Sequence, residues 1–260
     1  MAYETHRASS LVRYWVHCIP SQRLHSPYLF SLSGNVLRGK ELPEKVRQIE
    51  AYRQCLRRDN REIAFNDAGA GTAGQIRTSR KVSDIARNSL LPSSWSARLF
   101  RLAKFTGARR ILELGTSLGI TSQYLASSGS QNTVITIEAD AGSAAMAKKG
   151  FEINGFKNID LRNQTFAQFL EGYASGSFDI IYLDGDHRME STMKYMEQLQ
   201  GMLNPGGVIV LDDIHWSPGM SQAWEDIYRR NCFAFSMDLW KQGWLFRREM
   251  TEKQHFVIRP

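Results

Sequence analysis

Between residues 110 and 213, short near-continuous apolar runs alternate with segments whose apolar residues recur every three or four positions. The runs are RILEL, NTVITIEA, NIDLRN, FDIIYLD and GGVIVLDD. The segments between them include TSQYLASSG, AGSAAMAKKGFEING, FAQFLEGYA and ESTMKYMEQLQGML. Strands that are apolar on both faces need cover on both sides, so this rhythm predicts a parallel sheet between helical layers. Near the end, FAFSMDLW and GWLFRR flank Lys241-Gln242-Gly243, which predicts an antiparallel hairpin at one edge.

The first 60 residues have a helical period instead. In SSLVRYWVHCIP, Leu11, Tyr14, Trp15 and Cys18 share a face after a serine cap, and Pro20 closes the segment. HSPYLFSLSGNVLR opens on a turn at Ser26-Pro27, with His25 beside it. In PEKVRQIEAYRQCLRR, Val46, Ile49, Tyr52 and Leu56 line one face. Residues 59–80 are polar and glycine-rich and are expected to form a loop. The stretch from Val82 to Gly107 predicts two short helices broken at Pro92. The expected organisation is a helical N-terminal extension with a glycine-rich loop over 1–80, then an α/β domain over 81–260.

Charge and composition narrow the partners. Residues 1–110 carry 20 Lys/Arg against 8 Asp/Glu, whereas residues 111–260 carry 13 against 18. The basic first part raises the alternative of an RNA partner or nucleic-acid methylation. The acidic loop Asp184-Gly185-Asp186-His187 would repel phosphate, and no RNA-binding module is recognisable, so a small-molecule partner is expected. Mean hydropathy is −0.37. No apolar run approaches the ~20 residues that span a bilayer, so no membrane partner is expected. The start lacks the apolar core of a signal peptide, and Cys18, Cys55 and Cys232 are scattered, as free thiols in a reducing cytoplasm would be.

Two glycine stretches compete for a nucleotide. Gly69-x-Gly71-x-x-Gly74 matches the dinucleotide pattern, yet only Ile63-Ala64-Phe65 precedes it, and the residues about 20 on are Arg87-Asn88-Ser89. A mobile loop or lid is the better expectation there. The second stretch has the right context. RRILEL predicts a strand, Gly115 and Gly119 flank Thr116-Ser117-Leu118, a helix follows, and VITIEAD ends a strand at Glu138. A carboxylate at that strand tip can accept both hydroxyls of a ribose.

LELGTSLGIT (112–121), Glu138, FDIIYLDGDH (178–187) and LNPGGVIVLDD (203–213) together resemble the class I methyltransferases that use S-adenosylmethionine. The resemblance covers residues 80–250. Its details are most similar to the catechol and caffeoyl-CoA O-methyltransferases, and HSPYLF and DDIHW are similar to uncharacterised bacterial methyltransferases. It implies a Rossmann-like, doubly wound seven-stranded sheet, mostly parallel, whose C-terminal edge hairpin is antiparallel. It also implies O-methylation of a small-molecule acceptor.

The same resemblance implies that Glu113, Gly115, Thr116, Ser117, Gly119, Thr121, Glu138, Ala139, Thr165, Phe166 and Asp184 line the cofactor. Asp184, Asp212 and Asp213 fall on metal-ligand positions of the metal-dependent enzymes, and an all-oxygen set suits Mg²⁺ or Ca²⁺. Here the third ligand is Asp where those enzymes have Asn. His187 falls where they carry a catalytic Lys and is a candidate general base near neutral pH. Catalysis with a metal, and catalysis by His187 or Asp184 without one, both stay open. His215 is a further catalytic candidate. Trp216, Trp224, Trp240 and Trp244 either wall an acceptor pocket or belong to the core. Residues 1–100 are expected to serve as a cap on the acceptor side or as a homodimer contact.

Overall fold

The computed structural model describes residues 2–24, 26–64, 79–173, 176–248 and 252–259. The Gly69–Gly74 stretch and His25, named above as a lid and a turn residue, lie outside the described residues. The helices are α1 (Ala2–His17), α2 (Pro27–Leu32), α3 (Val46–Arg58), α4 (Val82–Asn88), α5 (Ser93–Thr106), α6 (Ile120–Ala126), α7 (Ala141–Ile153), α8 (Phe166–Gly172), α9 (Met189–Met202) and α10 (Pro218–Tyr228). The strands are β1 (Ile19–Pro20), β2 (Glu62–Ala64), β3 (Ser79–Lys81), β4 (Arg110–Leu114), β5 (Thr133–Glu138), β6 (Ile159–Asn163), β7 (Phe178–Leu183), β8 (Leu203–Asp212), β9 (Phe235–Asp238), β10 (Gln242–Phe246) and β11 (Gln254–Arg259). The fold class is α/β and Rossmann-like, mostly parallel, with an antiparallel hairpin near the C-terminus and helices at the N-terminus. No helix among the described residues is long and apolar enough to cross a membrane.

The chain divides into two compact units, residues 39–174 and residues 1–38 with 175–260. In the first, β4 pairs with β5 and β5 with β6, all parallel. Ile111, Leu112, Leu114, Val134 and Ile137 are wholly buried, as strands covered on both faces require. Helices α3 to α6 and the turn before α6 contribute Ile49, Leu56, Val82, Phe100, Leu118 and Tyr124 to one apolar cluster. Within it Arg53, 2% exposed, donates to the Leu91 carbonyl at 2.7 Å and to Glu50 at 2.9 Å. The region expected as a loop contains β2 and β3, an antiparallel pair of three residues each. Strands this short, with Glu62, Arg80 and Lys81 among six residues, give no period to read.

In the second unit β7 pairs parallel with β8, β8 antiparallel with β10, and β10 antiparallel with β9. The hairpin is where the apolar runs place it. Strand β11 adds on beside β9, parallel to it, and β1 pairs parallel with β11. Helix α1 starts at Ala2 rather than at the serines. Ser9 and Ser10 instead turn their hydroxyls back onto the carbonyls of His6 and Arg7, at 2.9 and 3.0 Å, a bond open to serine inside a helix as well as at its cap. Trp244 and Trp224 are core residues at 0% and 2% exposure, while Trp216 is exposed.

Candidate active site

In residues 39–174 the chemistry gathers where β4, β5 and β6 end. After Leu114 the chain turns through three left-handed residues, Gly115 (φ 110°), Ser117 (φ 49°) and Gly119 (φ 76°), before α6 begins. The N–H groups of Gly115 and Thr116 donate to the Ile137 carbonyl at 3.0 and 3.2 Å, which moors the turn to β5. A Cβ on Gly119 would lie 2.5 Å from the Phe151 ring and 2.9 Å from Ala147 Cβ, so this glycine also lets α7 approach.

Glu138 closes the arrangement. Its Oε2 accepts from the Ser117 N–H at 2.8 Å and its Oε1 from the Asp140 N–H at 2.9 Å. Burial raises its pKa above the ordinary value, against the pull of those backbone N–H groups. Asn163 donates to the carbonyls of Glu138 and Ala139, at 2.7 and 3.2 Å. Thr165 caps α8 in a reciprocal box with Gln168, and Phe166 is the first residue of that helix. Glu113, Thr116 and Thr121 are buried. Glu113 Oε2 accepts from Ser122 and, at 2.7 Å, from Thr136, while Thr116 and Thr136 share a 2.6 Å hydroxyl bond.

In the second unit the reactive groups follow β7 and β8 and sit in the β9–β10 turn. The Tyr182 hydroxyl donates to Asp184 Oδ2 at 2.9 Å, and His187 Nε2 lies 3.7 Å from Asp184 Oδ1. Asp186 (φ 50°) accepts from Arg188 at 2.5 Å and from Tyr195 at 3.1 Å. Burial opposes its charge, but these bonds outweigh it and hold the carboxyl below its usual range. Asp212 is 3% exposed. Its Oδ1 accepts from Gln242 Nε2 at 2.9 Å, and its Oδ2 faces Lys241 Nζ at 2.9 Å. Lys241 also donates to Asp213 Oδ1 at 2.8 Å. Burial and the neighbouring Asp184 raise the Asp212 pKa; burial works against the Lys241 ammonium, but Asp212 and Asp213 outweigh it and keep Lys241 charged.

His215 is held from both sides. Nε2 lies 2.8 Å from Asp238 Oδ2 and Nδ1 lies 3.0 Å from Ser221 Oγ, whose other neighbour is His6 Nε2 at 3.0 Å. A carboxylate only accepts, so in the neutral ring Nε2 carries the proton and Nδ1 accepts from Ser221. These groups line a cavity of about 310 Å³ with Tyr14, Trp224, Tyr228 and His255.

Comparison with known proteins bears on both halves. A family model described as a methyltransferase domain matches residues 112–214. Residues 112–214 are thus similar to a methyltransferase domain. Mouse catechol O-methyltransferase domain-containing protein 1 is 30% identical over 137 residues, 50% of this chain and 51% of that protein. A catechol O-methyltransferase of Mycobacterium tuberculosis is 30% identical over 115 residues, 44% of this chain and 51% of that protein. The chain thus spans about half the length of the curated relatives it matches. The O-methyltransferase TomG from Streptomyces achromogenes, solved in complex with SAM, superimposes with a TM-score of 0.60 at 16% identity. That match covers 84% of this chain and 96% of TomG, and it shows a shared fold.

Within residues 39–174, the structure brings Gly115, Ser117, Gly119, Glu138 and Ala139 together at one set of strand ends. Glu113, Thr116 and Thr121 sit buried among the residues beneath and after the turn. The expected carboxylates do not fit a divalent ion as they stand. The Lys241 ammonium lies between Asp212 and Asp213, and no three His, Cys, Asp or Glu side chains among the described residues are placed to share a metal. Lys241, Asp238 and Asn163 are the residues that sequence reasoning missed. Only Lys241 left a signal, as the basic residue in a hairpin that returns beside an Asp-Asp strand end.

Proposed function

We propose that this chain transfers the methyl group of S-adenosylmethionine to an oxygen of a small-molecule acceptor. The observation that carries the reading is Glu138 braced against the Gly115–Gly119 turn. Its two oxygens take the N–H groups of Ser117 and Asp140, and a carboxylate has about four lone-pair sites, which leaves acceptor capacity for a ribose hydroxyl. Bound there, the sulfonium would supply an electrophilic methyl group. Gly115 lets the turn take its left-handed path (φ 110°), and Ala139, Thr165 and Phe166 stand at the neighbouring strand end and helix start, places expected to line the cofactor.

In the second unit, His187 beside Asp184 is suited to take the acceptor's proton, since a neutral imidazole offers an unprotonated ring nitrogen. His215, gripped by Asp238 and Ser221, is the second candidate base. The 30% identity to two catechol O-methyltransferase-named proteins supports a hydroxylated aromatic acceptor. The free thiols Cys18, Cys55 and Cys232 support a cytoplasmic setting. The exposed Val12, Trp15 and Val16 on α1 offer apolar area for the homodimer contact expected of the N-terminal part.

The test is calorimetry with S-adenosylhomocysteine on the wild type and on Glu138→Ala. The wild type is expected to release heat and the variant to lose most of it. Comparable heats from both would remove Glu138 from the site.

A further inference from the structure

A hairpin turn fixes Lys241 with unusual thoroughness. Its N–H donates to the Leu239 carbonyl at 2.9 Å, and the Leu239 N–H donates to the Gln242 carbonyl at 2.9 Å. Trp240 between them is left-handed (φ 64°) and anchored through its N–H to Asp238 Oδ1 at 2.7 Å. Gln242 pairs in register with Asp212 and fills one of its oxygens, while the Trp244 indole holds the Gln242 side chain at 3.1 Å. The ammonium therefore arrives at the other oxygen of Asp212 and at Asp213, both within 2.9 Å. A hard divalent ion binds oxygen at about 2.0–2.6 Å and needs six or more such ligands. To enter here it would have to evict an ammonium from two carboxylates, one of them buried.

We propose that Lys241 serves as a built-in cation in place of a divalent metal. The Lys241 side chain keeps 20% of its surface exposed, and two of its three N–H groups are committed to Asp212 and Asp213. The third binds the acceptor oxygen and stabilises the oxyanion. This rests on the methyltransferase reading. In that step the acceptor O–H bond breaks and its proton goes to the His187 imidazole. The oxygen lone pair forms the new O–C bond, the C–S bond breaks, and its electron pair stays on sulfur, which becomes a neutral thioether.

The test needs no knowledge of the acceptor. The full chain is titrated with Mn²⁺ and followed by electron paramagnetic resonance; the free-ion signal is expected to persist undiminished in the wild type. Stoichiometric Mn²⁺ uptake that Asp212→Asn abolishes would overturn the proposal. In parallel, 4-nitrophenol, which cannot chelate, reports oxyanion binding by its absorbance. Wild type, with chelator present, is expected to lower its pKa by about one unit, a tenfold preference for the phenolate. Lys241→Met should abolish that shift and Lys241→Arg should retain part of it. No shift with wild type, or an unchanged shift in Lys241→Met, would also overturn the proposal. Heat from S-adenosylhomocysteine is expected in every variant, and its absence from the wild type would instead sink the methyltransferase reading.

Discussion

Gly119→Ala is a quantitative probe of the Gly115–Gly119 turn. The residue is left-handed at φ 76°, which costs a side chain-bearing residue roughly 1–2 kcal/mol. Its new Cβ would meet Phe151 carbons at 2.5 and 2.8 Å and Ala147 Cβ at 2.9 Å. Overpacking of that kind adds about 1–3 kcal/mol, so the total expected loss is about 2–5 kcal/mol. Gly107→Ala isolates the two contributions. Gly107 is equally left-handed at φ 64°, but nothing lies within 4 Å of its would-be Cβ. It should bear the backbone cost alone. Urea unfolding of both variants, followed by circular dichroism, measures the difference, and calorimetry with S-adenosylhomocysteine should find binding weakened only in Gly119→Ala. If Gly119→Ala costs no more than Gly107→Ala, the contact with α7 does not constrain this position.

Affinity for S-adenosylhomocysteine should depend on pH through Glu138. Burial raises its pKa in the folded state, so the unliganded fold gives up stability as pH rises through that range, whereas ribose binding needs the carboxylate and weakens as pH falls through it. Calorimetry at descending pH checks this; constant affinity down to the ordinary glutamate value of about 4.3 would contradict it. Arg53→Ala should destabilise by about 3 kcal/mol or more, because it strips a buried guanidinium from the Leu91 carbonyl and from Glu50; a chemical-denaturation shift under 1 kcal/mol would count against that. Nitrogen NMR should find neutral His215 protonated at Nε2, with the preference reduced in Asp238→Asn, and an Nδ1 proton in the wild type would refute the assigned hydrogen-bond direction.

The parallel strands and the hairpin were legible because burial on both faces leaves long apolar runs, as in FDIIYL and GGVIVL, that nothing local disguises. The place of Glu138 at the end of β5 was legible through its distance from Gly119 along a βαβ unit. The partners of Glu113 in β4, Ser122 and Thr136, could not be read in the same way, because strand period alone does not choose the face it enters. Lys241 reads in the sequence as a polar turn residue. Its contacts with Asp212 and Asp213 depend on the antiparallel register that sets Gln242 opposite Asp212, and register is fixed by pairing between strands about thirty residues apart. The His215–Ser221–His6 chain likewise joins residues more than 200 positions apart, which no local pattern encodes.

Strand β1 offers a last consequence. It is two residues long, and its second residue, Pro20, has no N–H to offer a newcomer. Tyr14 pins the preceding helix to the carbonyl of Ile258 on the neighbouring strand. A row of unpaired amides invites stray chains to stack on and grow into fibres. By ending in a two-residue stub whose Pro20 cannot donate, this edge should resist such templating. Deleting its first twenty residues should uncover β11 and make the remainder prone to clumping in concentrated solution.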